Sequence, residues 1–195
     1  AGTEKPITDT KINRIEKSAL VYVPDNAIAT IAMGSFKEGL MSEILDEAGI
    51  YDTTVKEILE GINGTVTVSA VAPADVNDLF RVPAWNLTLS IGMEADAARR
   101  TMTAVEQLIH PQEADGMKIL DFGSPYMIGG GKIYYRYFED GYLAAGTMPV
   151  SNDNNCQLVK DMPGQLAALH AYEGKDGNIA RAFDMPWGIN LYTRE

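Results

Sequence analysis

Apolar and polar side chains alternate along two stretches of the chain. Residues 65–71 (TVTVSAV) and Asn86–Met93 (NLTLSIGM) carry valine, leucine or isoleucine at alternate positions, with mainly hydroxyl-bearing residues between them. A sheet with one face in the core and one polar face in water produces this alternation. We therefore predict two antiparallel strands here, with their threonine and serine side chains on the wet face.

Further runs predict the other elements. Ala27–Met33 reads as a buried strand, residues 117–122 as a strand, and residues 188–193 as an edge strand. Short helices are predicted near the end of the chain at residues 156–162, 165–172 and 178–183.

Three longer helices are predicted from apolar residues at helical spacing. The first begins with Ser35 as its N-cap and ends before Gly49, which suits the position after a helix. The second begins at Thr54, which has capping-box spacing to Glu57. The third covers residues 95–109, with Leu108 among its inward side chains, and the following proline stops it.

Residues 132–148 (KIYYRYFEDGYLAAGTM) predict a β-hairpin. Asp140-Gly141 is a strong signal for a two-residue type I′ turn, which needs positive φ at both central positions. That turn pairs Tyr137 with Ala144 and Tyr135 with Gly146, so large rings lie opposite small residues. We expect this ribbon to be central in the sheet, with its rings serving as scaffold.

The order of these elements predicts the fold class. Helices are too few for a parallel doubly wound sheet, so we predict an α+β fold, a mostly antiparallel sheet with helices packed on one face. Residues 1–17 are polar and are predicted to be a flexible lead-in or linker. Residues 18–195 are predicted to form a single α+β domain.

Composition excludes several partners. The formal charge of −11, from 27 acidic and 16 basic residues, repels a phosphate backbone and argues against nucleic-acid binding. No apolar stretch reaches the roughly 20 residues that span a bilayer, so we predict no transmembrane segment. Cys156 is the only cysteine, which excludes an internal disulfide and a cysteine-based metal site.

The sequence carries no recognised catalytic pattern. His110 and His170 lie in no zinc-protease pattern, and there is no G-x-S-x-G motif. The run Gly129-Gly130-Gly131-Lys132 lacks the spacing of a phosphate-binding loop and precedes a strand. From the sequence we assign no catalytic residue, no metal ligand and no cofactor. A hydrolase whose site is assembled from distant residues stays an alternative.

Five aromatic residues are the candidate ligand-binding residues: Trp85, Tyr134, Tyr135, Tyr137 and Trp187. Flat rings of this kind stack on a sugar or another flat ligand, which makes a carbohydrate- or small-ligand-binding domain an alternative function. The favoured interpretation is structural, because tyrosine is a good strand residue and tryptophan often covers the edge of a core.

Residues 19–25 (ALVYVPD), the strand and helix after them, and residues 62–68 (INGTVTV) together resemble uncharacterised envelope lipoproteins of Bacteroides-type bacteria. The hairpin at Asp140-Gly141 is similar to a later strand pair in such proteins. The resemblance covers about half of the chain, and Thr65 stands where these proteins often have aspartate. It implies a secreted parent protein of unknown function with a lipid anchor outside this chain, located in the periplasm or at the outer-membrane surface.

The resemblance brings no catalytic residue with it. Our leading hypothesis from the sequence is a non-catalytic module of a secreted or surface-associated bacterial envelope protein, with a binding or structural role. The candidate partners are a glycan or another envelope protein.

Overall fold

Eight strands form an antiparallel sheet in the computed structural model, which describes residues 11–171. Their order across the sheet is β4-β5-β6-β7-β3-β2-β1-β8. The strands are β1 Ala27–Met33, β2 Ile62–Val71, β3 Asn86–Met93, β4 Gln112–Ala114, β5 Met117–Asp121, β6 Lys132–Tyr137, β7 Tyr142–Gly146 and β8 Ala167–Ala171. The α+β class with an antiparallel sheet is confirmed. The predicted elements at 178–183 and 188–193 lie outside the described residues.

Three α-helices accompany the sheet: α1 Leu40–Glu47, α2 Thr53–Glu60 and α3 Ala95–Leu108. α3 packs its buried Ala97 and Ala98 against Met93 of β3 and Leu143 of β7. α2 contacts α3, and α1 contacts α2. The helical layer therefore covers part of one face of the sheet, which agrees with the predicted arrangement.

The predicted helix starts are wrong by a few residues. Ser35 does not cap α1, because it is buried and its hydroxyl accepts from Asn13 Nδ2 at 2.9 Å. Asp52, two residues before the predicted cap, accepts from the backbone N–H of Val55 at 3.0 Å and so caps α2. Gly49 does follow α1 with a φ of +71°, as predicted.

The prediction of a short helix at 165–172 is also wrong. Ala167–Ala171 is instead strand β8, which pairs antiparallel with β1 and places His170 opposite Thr30. The free edge of β1 supplies a row of hydrogen-bonding partners, and these outweigh the weak helical preference of a short segment. At the end of α3, Leu108 is 84% exposed rather than inward.

The face of the sheet that was predicted to meet water is buried in the structure. The hydroxyl face carries the threonine and serine side chains of the central strands and is buried, with none of them more than 5% exposed: Thr30, Thr67, Ser69, Thr88 and Ser90. The apolar face carries the valines, leucines and isoleucines of the same strands, among them Val68, which is 42% exposed. The predicted wet face is therefore the inner one.

Hydrogen bonds between strands make this burial possible. Thr30 donates to Ser69 Oγ at 3.0 Å, and the hydroxyls of Thr67 and Ser90 are 2.7 Å apart. Partners inside the protein replace the lost water, so burial leaves these groups satisfied. Their small size leaves room for the 3₁₀-helix Lys17–Tyr22, here called the entry helix, which contacts β2 and β3.

Two apolar clusters fill the layer above the hydroxyl face. One joins the entry helix to the segment after β7 and contains Ile15, Leu20, Val23, Ala27, Ala32, Val71, Cys156, Val159 and Met162. The other joins the entry helix to the hairpin and contains Ala19, Tyr22, Phe138, Tyr142 and Ala144. The core thus depends on the chain that precedes β1.

Part of the predicted lead-in belongs to this core. Ile12 and Ile15 are buried, and the backbone N–H of Asn13 donates to the Ser35 carbonyl at 2.8 Å. Residues 11–17 are therefore packed against the domain, and the description as a flexible lead-in does not hold for them.

The predicted hairpin is present, but its register differs by one residue. Tyr135 pairs with Ala145 and Tyr137 with Leu143, because the loop has three residues rather than two. Phe138 N–H donates to the Tyr142 carbonyl, and Gly141 has a φ of +90°, which fits a three-residue loop with a glycine bulge. The slip moves the β7 side chains to the face opposite the one predicted.

Candidate functional site

The three candidate tyrosines on β6 do not share one surface. Tyr135 and Tyr137 lie on the apolar face, where Tyr135 donates to Glu106 Oε1 at 3.0 Å and Tyr137 donates to the Met93 carbonyl at 3.1 Å. Tyr134 is half-buried on the hydroxyl face. The first two hydroxyls therefore serve packing within the domain, which supports their interpretation as scaffold.

Of the two candidate tryptophans, the structure describes only Trp85. Trp85 is half-buried, and its indole N–H donates to the Leu79 carbonyl at 2.8 Å. Trp187 lies outside the described residues. Ligand binding by any of the five candidate aromatics stays a prediction.

His170 and Cys156 are engaged within the domain, whereas His110 is exposed after the end of α3. One ring nitrogen of His170, Nδ1, lies 2.8 Å from the Leu158 carbonyl. Cys156 is buried, and burial raises the pKa of its thiol. Within residues 11–171, no group of three or more histidine, cysteine or acidic side chains is arranged to hold a metal ion. The same part of the chain contains no helix long and apolar enough to cross a bilayer.

A pair of tyrosine–carboxylate hydrogen bonds ties the entry helix to the hairpin. Tyr22 donates to Asp140 Oδ1 at 2.5 Å, and Tyr142 donates to Glu16 Oε2 at 2.9 Å. The two rings lie 5.1 Å apart between centroids, and Tyr22 also makes an edge contact with Phe138 at 5.1 Å. The chain before β1 is thereby fastened to the tip of the hairpin.

This arrangement keeps both phenols protonated. Burial, followed by the hydrogen bond to Asp140, raises the pKa of Tyr22 above its ordinary value of 10.0. Burial also raises the pKa of Tyr142 to about 12, and its bond to Glu16 acts in the same direction. Both side chains can donate to a carboxylate throughout the neutral range.

The raised pKa of Tyr142 predicts a loss of stability in alkali. Above about pH 10 the unfolded tyrosine releases its proton while the folded one keeps it, so the free energy of unfolding falls until the pH passes about 12. Below pH 10 this contribution is fully present. We expect the stability difference between wild type and Tyr142→Phe to shrink as the pH rises from 8 to 11.5. Urea unfolding at each pH measures it, and a constant difference would contradict the prediction.

Exposed apolar side chains gather where two loops meet at one end of the sheet. We call this the loop cluster, and it consists of Phe80, Val82, Phe122, Tyr126 and Met127, all exposed. Phe80 is 75% exposed and Tyr126 is 84% exposed. These side chains sit beside the 3₁₀-helices Val82–Ala84 and Ile128–Gly131, which contact each other.

Backbone hydrogen bonds hold the loop cluster in place. The N–H of Gly129 donates to the Trp85 carbonyl at 3.0 Å, and the N–H of Phe122 donates to the Gly131 carbonyl at 2.9 Å. The loop before β3 is thus joined to the loop between β5 and β6, and both are held at the same end of the sheet. Loops held on a rigid sheet in this way are the usual carriers of binding residues.

A second exposed apolar area lies on the apolar face, beyond the part that α3 covers. Side chains of four neighbouring strands form a row across it, Leu169, Ile31, Val68 and Leu89, and Leu87 lies in the adjacent row. We call these five residues the open patch. Ile31 is 55% exposed, and Val68 and Leu87 are also exposed, while Leu89 and Leu169 are half-buried.

Sequence reasoning missed both surfaces. Phe80 and Tyr126 are single aromatics in otherwise polar or proline-containing loops. This position in a loop could have identified them as candidate binding residues. The open patch gave no such signal, because valine and isoleucine in a strand normally indicate the core.

Comparison with known proteins found no match of this chain to a protein-family model, to a curated protein or to a solved structure.

Proposed function

We propose that this chain is a non-catalytic module of a secreted or surface-associated bacterial envelope protein, and that it binds another envelope protein through the loop cluster. The observation that carries the binding role is the exposure of Phe80 and Tyr126 on a firmly held base. The envelope location rests on the resemblance carried by residues 19–25 and 62–68. Under this proposal the parent protein lies in the periplasm or at the outer-membrane surface.

The composition of the loop cluster favours a protein partner. Tyrosine, phenylalanine and methionine are enriched in the cores of protein interfaces, and charged residues are depleted there. Two carboxylates beside the cluster have partners within the chain. Asp78 pairs with Arg81 at 2.8 Å, and Asp121 accepts from the N–H of Gly123 at 2.8 Å. A sugar needs such groups for its hydroxyls, whereas a protein side chain needs apolar area.

Carbohydrate or small-ligand binding is the second candidate. The ring of Tyr126 is 84% exposed, so its face is accessible for stacking on a sugar. In this alternative the ligand would bind at the same end of the sheet, and Trp85 would support the site from below through its backbone link to Gly129.

Substitution of the exposed rings tests the proposal. We expect peptides selected from a displayed random library on the immobilised full chain to bind Phe80→Ser and Tyr126→Ser about tenfold more weakly than wild type, because central aromatic residues carry most interface energy. Tyr51→Ser is the matched control, since Tyr51 is 75% exposed but lies between α1 and α2. Affinities come from surface plasmon resonance.

Three outcomes would count against the proposed protein partner. A library that yields no enriched peptide, or peptides that bind all variants equally, would remove the role of the loop cluster. A glycan array in which the full chain binds a sugar, and Tyr126→Ser loses it, would replace the protein partner by the carbohydrate alternative.

A further inference from the structure

Asp115 and Gly116 form the turn between β4 and β5. Ala114 pairs with Met117, so the loop has two residues, and φ is positive at both, +52° at Asp115 and +73° at Gly116. These values fit a type I′ turn. Both turn residues are exposed, and so are all three residues of β4, which lies at the edge of the sheet. A short, exposed strand therefore holds this turn on one side.

An aspartate followed by glycine can react with its own main chain. The backbone nitrogen of the glycine attacks the carboxyl carbon Cγ of the aspartate, water leaves, and a five-membered succinimide ring forms. Glycine favours this step because no side chain shields its nitrogen and its backbone turns freely. When water then adds to the main-chain carbonyl of the ring, the bond from that carbon to the glycine nitrogen breaks. The chain now continues through Cγ as isoaspartate, with no net change in mass.

At Asp140-Gly141 the fold engages both reacting groups. The Asp140 carboxylate accepts from the Tyr22 hydroxyl at 2.5 Å, and the Gly141 N–H donates to the Phe138 carbonyl at 3.1 Å. Attack of this nitrogen on this carboxyl carbon requires both hydrogen bonds to break. The second aspartate–glycine pair is therefore protected.

Asn63-Gly64 reacts by the same route, with ammonia as the leaving group in place of water. This pair lies inside the ten-residue strand β2, and Gly64 is buried. A Cβ on Gly64 would lie 2.8 Å from the Cα of Gly92, so the two backbones are in close contact. The rotation that brings the nitrogen to the side chain is blocked here. Asp176-Gly177 lies outside the described residues.

We propose that Asp115 isomerises to isoaspartate in the folded protein, whereas the fold protects Asp140 and Asn63. Among residues 11–171, neither the Asp115 carboxylate nor the Gly116 N–H has a hydrogen-bond partner. The rotation that attack requires becomes possible when the three pairings of β4 open. Local opening of a short, exposed edge strand costs less free energy than opening of the interior of a sheet.

Peptide mapping of the full chain tests the proposal. The three pairs fall in separate tryptic peptides, residues 57–81, 101–118 and 137–160. The chain is incubated for several weeks either folded or unfolded in guanidinium chloride, and electron-transfer fragmentation measures conversion at each pair. The rate in the folded chain divided by the rate in the unfolded chain removes differences in intrinsic reactivity. We expect this ratio to be within about threefold of one at Asp115 and below about one-tenth at Asp140 and Asn63.

The matched control is Asp115→Glu, because a glutamate would have to close a less favourable six-membered ring. We expect no isomer of peptide 101–118 in this variant, with the ratios at Asp140 and Asn63 unchanged. Equal ratios at all three pairs, or a lower ratio at Asp115 than at Asp140, would overturn the proposal.

Isomerisation at Asp115 also predicts a structural change at the edge of the sheet. Isoaspartate adds one methylene to the main chain of the turn, which a two-residue type I′ loop does not accommodate. We expect β4 to leave the sheet and the edge of β5 to become free, so that amide hydrogen exchange in both strands becomes faster in the isomerised fraction. Exchange in β2 should stay as it was, and unchanged exchange in β4 and β5 would contradict this consequence.

Discussion

Replacement of Gly92 by alanine is expected to lower the free energy of unfolding by about 3 kcal/mol. A Cβ at this position would lie 2.5 Å from the Cα of Gly64 and about 3 Å from its carbonyl carbon and nitrogen. All three are backbone atoms of β2, so no side chain can turn aside to make room. The two central strands would have to separate.

The consequences of that separation would extend into the helical layer. Gly92 lies opposite an irregularity in β2, where the pairing jumps from Ile62–Met93 to Val66–Ile91. Directly beyond it, the N–H of Glu94 donates to the Gly61 carbonyl at 2.9 Å and leads into α3. Opening the strands at Gly92 would therefore weaken the start of α3 as well.

Thermal and urea unfolding measure this effect. A loss of about 3 kcal/mol corresponds to a fall in Tm of roughly 6–12 °C for a chain of this size. Gly123→Ala is the control, because a Cβ there meets nothing within 4 Å and only the φ of +62° opposes it, at about 1 kcal/mol. If both variants lose the same stability, the close approach of the two strands does not govern the effect.

The elements that could be predicted are those encoded by local pattern. β1 was located from a short apolar run, β3 from alternation and α3 from helical spacing, and α3 ends one residue before the predicted boundary. β8 could not be predicted in this way, because Ala167–Ala171 is a strand only by virtue of the β1 edge to which it binds. Pairing between distant segments leaves little trace in a local sequence pattern.

Which face of the sheet is buried could not be predicted from the sequence pattern either. Alternation along β2 indicates a strand but does not state which side meets the core, and hydrophobicity alone assigns Val68 inward. The hydroxyl of Thr67 is buried because Ser90 on the neighbouring strand satisfies it at 2.7 Å. That partnership depends on the register between β2 and β3, so no single-strand pattern contains it.

The candidate site was predictable only in part. Tyr135 and Tyr137 were recognised as strand residues of the hairpin, but the use of their hydroxyls by Glu106 and Met93 depends on the tertiary fold. Phe80 and Tyr126 are far apart in sequence, and contact between two short 3₁₀-helices places them on one surface. An assembled surface of this kind depends on the tertiary fold.

Replacement of Tyr22 by alanine is expected to cost about 4 kcal/mol of stability, a large part of the total for a domain of this kind. The ring is buried against Phe138 and Tyr142, and its loss would leave a cavity where the entry helix meets the hairpin. Tyr22→Phe keeps the ring and removes the hydroxyl that donates to Asp140, so it should cost only about 1 kcal/mol.

Urea unfolding of the two variants separates packing from hydrogen bonding, and amide hydrogen exchange locates the effect. In Tyr22→Ala we expect faster exchange in β6 and β7, because the entry helix would no longer hold the hairpin tip. Equal losses in both variants would show that the bond to Asp140, and not the ring, fastens these elements. Since the entry helix also covers the hydroxyl face, Tyr22→Ala should in addition expose Thr67 and Ser90 to water, which the exchange of β2 and β3 would report.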